Sequence, residues 1–488
     1  MRFQVFKKGK VVDKFELRGA YLFGTDGIAV RRAQISFEGG FIECKKPSME
    51  TAGLALLWTI DGFGKVLLPT TCLPDRSRPY NLNVELARAK LMQIINKRED
   101  WAFFDSIEGL GDVSEEAQGL FIQAIQNMSD ASSASKLADE SLKRTIVFSE
   151  KLAMKQTELL FDSRSKAHGF GRGCLGCRVE PAQINNSKYI DRLLELFNFV
   201  TVPVNWAEIE RERDNYDFSA IDACVDVLVK KKLAIGAGPI LCFSKEYLPE
   251  WLLSSDEGFE KVRETAYQFV SKIVSRYSNT IRVWRVVSGL NVFNHFGFSF
   301  EQVLEVTRAA NMAVKAASDR AMKIVEISNP WGEYYAMAPN TIPPLVYIDM
   351  VVQSGINFDA FGLQMRFGKN RAGMYPRDMM HMSAVLDYFG SAGKPLHITE
   401  VEVPSQDDSD FRRGEEGQEG WNESRQGQWI EQFYKIALSK GFVDTVTYSN
   451  LTDRESKAMA NSGLLTEQFE AKKSFRALKK LHNTIFTH

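Results

Sequence analysis

The chain has 488 residues, 44% hydrophobic and 25% charged, as in ordinary globular proteins with room for more than one domain. Lys and Arg (61) nearly balance Asp and Glu (62) without a long basic run, which argues against nucleic-acid and membrane-surface partners. Six scattered cysteines, with Cys174 and Cys177 as a lone C-x-x-C pair, argue against a disulfide framework, a metal centre or a cofactor.

The first fifteen residues contain no apolar core of signal-peptide length, and no later stretch is apolar enough to span a bilayer. A cytoplasmic location is therefore expected. Residues 1–75 read as a small β-rich module of sandwich type. Residues 3–6 and 11–17 flank Lys8 and Gly9, 33–37 and 41–44 flank Gly39 and Gly40, and 53–60 and 65–68 flank Asp61 and Gly62. The period then changes. Leu82, Leu86, Ala89, Met92 and Ile95 recur at helical spacing, and residues 114–128 and 135–164 repeat the pattern. Residues 76–168 are thus expected to be a helical segment. The apolar stripes over 79–166 are too wide to leave in water, and imply packing on the following domain or a contact between subunits of a homo-oligomer.

From residue 169 to 488 the pattern becomes strand–helix, repeated eight times. The strands fall near 173–180, 199–204, 233–243, 282–288, 323–328, 360–365, 395–403 and 444–451. Ser219 with Asp222 and Ser299 with Gln302 are capping-box patterns at helix starts. Eight such units predict an α/β fold, a (β/α)8 TIM barrel. A doubly wound sheet is disfavoured, because no glycine-rich phosphate fingerprint follows the first strand. On the seventh strand, Leu396, Ile398, Glu400 and Glu402 share one face at period 2. Aliphatic residues would fill the interior, and the two carboxylates would reach the C-terminal mouth. If both are close and desolvated, their titrations should couple and one pKa should rise.

Several stretches together resemble the family 10 glycoside hydrolases, the xylanases, over residues 171–481. They are the run from Phe197 to Thr201 leading to Trp206, Tyr216-Asp217-Phe218-Ser219, Leu248-Pro249-Glu250-Trp251, Trp284-Arg285-Val286-Val287, Phe361-Gly362-Leu363-Gln364 and Ile398-Thr399-Glu400-Val401-Glu402-Val403. The resemblance implies retaining glycosidase chemistry on β-1,4-linked xylan-type sugars. Such chemistry uses a nucleophilic carboxylate and an acid/base carboxyl about 5–5.5 Å apart. Glu400 matches the nucleophile. The acid/base glutamate should close a W-x-V-V-N-E pattern, which here reads Trp284-Arg285-Val286-Val287-Ser288-Gly289. The proton donor is absent from its expected place, and Gly289 should leave vacant space there.

Other positions depart as well. By the resemblance, Val202, Pro203, Gly238, Phe243, Arg366 and Ser449 replace sugar-gripping side chains, whereas Trp206, Gln364, Glu400 and Asp453 remain. Glu402, Glu333 and His295 are the candidate substitute acids. Trp206, Gln364, Arg366, Asn291, Trp331, Tyr334 and Tyr335 are the candidate substrate-binding residues. Three classes of function stay open: a carbohydrate-binding barrel with weak or no hydrolysis, an active retaining β-glycosidase with a relocated acid, and a structural or interaction protein on a degenerate barrel. The expected partner is an oligo- or polysaccharide.

Overall fold

The computed structural model describes residues 1–101, 111–369, 371–407, 420–455, 459 and 461–486. Short strands form first: β1 (Arg2–Gln4), β2 (Phe6–Lys7), β3 (Lys10–Val11), β4 (Tyr21–Phe23), β5 (Gln34–Glu38), β6 (Phe41–Lys45), β7 (Gly53–Ile60), β8 (Gly64–Pro69) and β9 (Tyr80–Asn81). They build a four-stranded sheet in the order β5-β6-β1-β9, a three-stranded sheet β4-β7-β8 and the small hairpin β2-β3. Gly39 and Gly40 both take positive φ (56° and 86°), as the two-residue turn joining β5 to β6 requires.

Three helices follow: α1 (Leu82–Asp100), α2 (Gly111–Gln126) and α3 (Ala131–Ala167). Asn81 caps α1 by accepting from the Val84 amide, and Asp130 caps α3 by accepting from the Ser132 and Ser133 amides. With 37 residues, α3 spans about 55 Å. Ala134, Ala138, Leu142 and Ile146 on its first half enter the core of the sheet module. Phe148, Leu152, Ala153 and Phe161 on its second half enter the core of the following domain. Part of the helical stripes is thus covered by the chain itself, while Met92 and Ile95 of α1 and Ile122 of α2 stay exposed.

That domain is a closed barrel of eight parallel strands: β10 (Leu175–Arg178), β11 (Phe199–Val202), β12 (Ala234–Ala237), β13 (Val283–Ser288), β14 (Met322–Ile327), β15 (Ala360–Arg366), β16 (Leu396–Glu402) and β17 (Val443–Tyr448). The helices between and after them are α4 (Ser187–Leu194), α5 (Trp206–Ile209), α6 (Ser219–Lys230), α7 (Glu250–Leu253), α8 (Phe259–Tyr277), α9 (Phe300–Ala317), α10 (Pro344–Gln353), α11 (Met379–Gly390), α12 (Glu423–Ser439) and α13 (Lys473–Phe486). The strands are largely buried on both sides, β11 and β16 along their whole length. The expected (β/α)8 barrel, preceded by a β-rich region, is the observed fold.

The module leans on the loops that leave β14 and β15. Arg31 stacks on Tyr335 at 3.9 Å and donates to the Thr341 carbonyl at 2.7 Å. Leu57 and Leu67 pack on Tyr375, and the Leu67 amide donates to the Pro376 carbonyl at 2.9 Å. Lys90 of α1 meets Asp378, at the start of α11, at 2.8 Å with both side chains buried. Among the described residues, no helix is long and apolar enough to cross a membrane, and no group of three or more His, Cys, Asp or Glu is placed to hold a metal.

Candidate active site at the barrel mouth

Glu400 lies near the C-terminal end of β16 and is 2% exposed. A buried carboxylate needs partners, and two strands supply them. Arg285, from β13 across the barrel, donates to one Glu400 oxygen at 3.0 Å. Arg366, from the neighbouring β15, donates to the other. The same Nη1 of Arg285 reaches Glu326 of β14 at 3.0 Å, and its Nη2 donates to the Gly238 carbonyl. Gln364 donates to Glu326 at 3.0 Å and accepts from Ser328 at 2.8 Å. The Arg366 Nε stands 3.8 Å from Glu402, which also accepts from Asn450 and Ser462 at 2.9 Å each. Cations and carboxylates therefore alternate across the mouth: Glu326, Arg285, Glu400, Arg366, Glu402.

This alternation sets the electrostatics. Burial pushes the Glu400 pKa up, but Arg366 and Arg285 outweigh burial and hold the carboxyl well below the usual range. The raised pKa expected from two close carboxylates is not seen at Glu400, because Arg366 and Arg285 lie on its two oxygens. Burial also pushes the nearby Cys242 thiol up to about 11, so it offers no thiolate nucleophile near neutral pH.

Gly289 follows β13 with φ +62°, the left-handed region that favours glycine. A Cβ there would stand 2.6 Å from the Ser328 hydroxyl and 2.7 Å from the Phe293 ring. The vacant space expected beside Gly289 is filled. Gly238 has a similar steric reason, since a Cβ on it would meet the Arg285 carbonyl oxygen at 2.6 Å.

The family model for glycosyl hydrolase family 10 matches residues 165–481. The chain belongs to glycosyl hydrolase family 10. Endo-1,4-beta-xylanase 5 of Arabidopsis thaliana is 20% identical over 276 residues, covering 55% of this chain and 46% of that protein. The chain thus spans about half the length of the curated relative it matches. Native xylanase 10B from Thermotoga maritima superposes with a TM-score of 0.51 at 18% identity, covering 67% of this chain and 98% of that one. The family 10 structure from Paenibacillus barcinonensis gives 0.52 at 16% identity, covering 65% and 96%. At these identities the structural likeness shows the fold.

Within this family 10 barrel, the structure brings Glu400, Glu402, Arg366 and Gln364 into one network. Asn291 and Tyr334 stand behind it. Asn291 donates to the Ser328 carbonyl at 2.9 Å and to the Tyr334 hydroxyl at 2.7 Å. The remaining candidates lie elsewhere. Trp206 is 1% exposed, stacks on Phe269 at 4.7 Å and donates to Glu210 at 2.7 Å, so its faces are closed to a sugar. Glu333 is buried and accepts from Arg377 at 3.1 Å and the Gly373 amide at 2.7 Å. Trp331 lies under Arg377 at 4.0 Å, and Tyr335 lies under Arg31. His295 is exposed beside Phe296.

Arg285, Glu326 and Arg178 are the residues of this candidate site that sequence reasoning passed over. Arg178 donates to the Ser449 carbonyl at 2.9 Å and to Asn450 at 2.7 Å. A signal existed: Arg285 and Glu326 interrupt the apolar runs of fully buried parallel strands, where an ionised side chain needs an opposite charge.

Proposed function

We propose that this family 10 barrel binds β-1,4-linked xylan-type glycans without hydrolysing them. The observation that carries the reading is the pair of guanidinium groups on Glu400, one on each carboxylate oxygen. A retaining step needs one carboxylate free to attack the anomeric carbon and a second carboxyl to protonate the leaving oxygen. Here the first must break a charge-assisted bond of the stronger kind before it can attack. The second has no counterpart at Gly289, and general acid catalysis typically contributes about 10²–10⁴-fold. The family membership supports a carbohydrate ligand. The half-buried Gln364, Arg366 and Phe293 supply polar and aromatic surface for it.

A structural role is the second reading, favoured by the module that uses Tyr335 and Tyr375 as packing surface. One experiment separates the readings. Dinitrophenyl β-xylobioside needs no acid to leave, so a placed nucleophile would give a covalent adduct visible by intact mass. The expected result is no adduct and no turnover of xylan, with xylo-oligosaccharide binding detected by calorimetry. Glu400-dependent adduct formation or xylan cleavage would restore the hydrolase reading. Absence of binding would favour the structural one.

A further inference from the structure

The N-terminal module carries a cleft that the barrel chemistry does not use. It measures ≈ 710 Å³ and lies between the β2–β3 hairpin, β7–β8 and the first half of α3. That volume falls within the range of about 300–1,000 Å³ usual for small-molecule sites. Six lysines and four carboxylates line it.

The carboxylates are already engaged. Lys65 pairs with Glu16 at 3.3 Å, Lys143 with Asp61 at 3.3 Å and Arg144 with Glu140 at 3.2 Å. Asp139 accepts from Asn83 at 2.7 Å, and burial pushes its pKa up to about 7. Lys8, Lys14 and Lys136 form no salt bridge among the described residues. Cationic ends are thus in surplus here, in a chain whose net charge is −1. The lining is also aromatic: the half-buried Phe15 packs on Trp58 at 5.9 Å.

We infer that this cleft binds an acidic oligosaccharide, with uronate carboxylates on Lys8, Lys14 and Lys136 and a sugar face on Phe15. Lysine ammoniums are compact point charges on flexible stems, which suits carboxylates at variable spacing. An aromatic face suits the apolar face of a pyranose. Anion recognition rests on the cleft alone. The choice of a saccharide rests on the carbohydrate reading of the family.

Calorimetry on the full chain tests the inference with trigalacturonic acid, neutral xylotriose and inorganic tripolyphosphate. Trigalacturonic acid is expected to bind, and any heat from xylotriose, which belongs to the barrel, is expected to be the same in the triple variant below. The triple variant Lys8→Gln, Lys14→Gln, Lys136→Gln should weaken trigalacturonic acid at least about tenfold, with an unchanged melting curve. Lys261→Gln, on α8, should change nothing. Phe15→Leu should weaken trigalacturonic acid more than tripolyphosphate, because only the sugar has a ring to lay on it. The inference is overturned if trigalacturonic acid does not bind, or binds the triple variant equally. Equal binding of both anions with no effect of Phe15→Leu also overturns it, since that marks a general anion site. Xylan hydrolysis by the same protein would sink the non-hydrolysing reading of the barrel while leaving the cleft result standing.

Discussion

Replacing Glu400 by Gln removes one carboxylate from between the buried Arg285 and the half-buried Arg366. Breaking a buried pair in this way costs about 3–5 kcal/mol, and urea unfolding should read a loss of that order. Gly289→Glu, the direct restoration of the acid, should fail as an enzyme and lose stability. The left-handed backbone alone costs a side chain about 1–2 kcal/mol, and crowding against Phe293 and Ser328 adds about 1–3 kcal/mol. Thermal melts and glycoside assays on the variant check both parts. Stability should also fall at both ends of the pH scale. Burial opposes it, but Arg366 and Arg285 depress the folded pKa of Glu400, so its contribution is complete above about pH 4 and is lost as pH falls through the folded value. Asp139 behaves oppositely. Burial pushes it up to about 7, so its contribution is greatest below about pH 4 and is lost as pH rises through 7. Asp139→Asn should therefore stabilise the protein at pH 8 by up to about 4 kcal/mol and change little at pH 4. An equal effect at both pH values would refute that cause.

Among elements, the barrel strands were the most legible in the sequence, because a strand buried on both sides writes itself as a short, largely apolar run between helical stretches. The face of β16 that carries Glu400 was legible for the same local reason, since period 2 is a property of neighbours. The ion network was not legible, because Arg285 and Glu400 are 115 positions apart and meet only when the barrel closes. Trp206 misled for a related reason. Its motif marks the start of α5, but only the packing of Phe269 shows that the indole is enclosed. The join between α1 and α11 is a second long-range pair of this kind. Lys90→Met would leave Asp378 buried with one cation fewer, at a cost of about 3–5 kcal/mol by denaturant unfolding. A loss under about 1 kcal/mol would mean that the ion pair does not hold the join.

For the whole molecule, α3 makes two cores depend on one helix. A chain beginning at Gly169 would lose Phe148, Leu152 and Phe161 from the barrel core, each worth about 1.5–3 kcal/mol of burial. It should bind hydrophobic dyes and melt well below the full chain. A melting point equal to that of the full chain would show that the barrel is self-sufficient. The alternating charges at the mouth have a different reach, one that concerns change over many substitutions. Arg366→His would weaken the guanidinium link that touches both Glu400 and Glu402. Arg285→His would leave Glu326 and Glu400 facing each other. A glutamate at position 289 meets a filled cavity until Phe293 shrinks. On the non-hydrolysing reading, each of these steps toward hydrolysis is expected to be less stable than its starting point, and none is expected to yield activity alone. A laboratory evolution campaign screening single substitutions for xylan cleavage would meet a ratchet. Only libraries that exchange positions 285, 289, 293 and 366 together would cross the valley in one move.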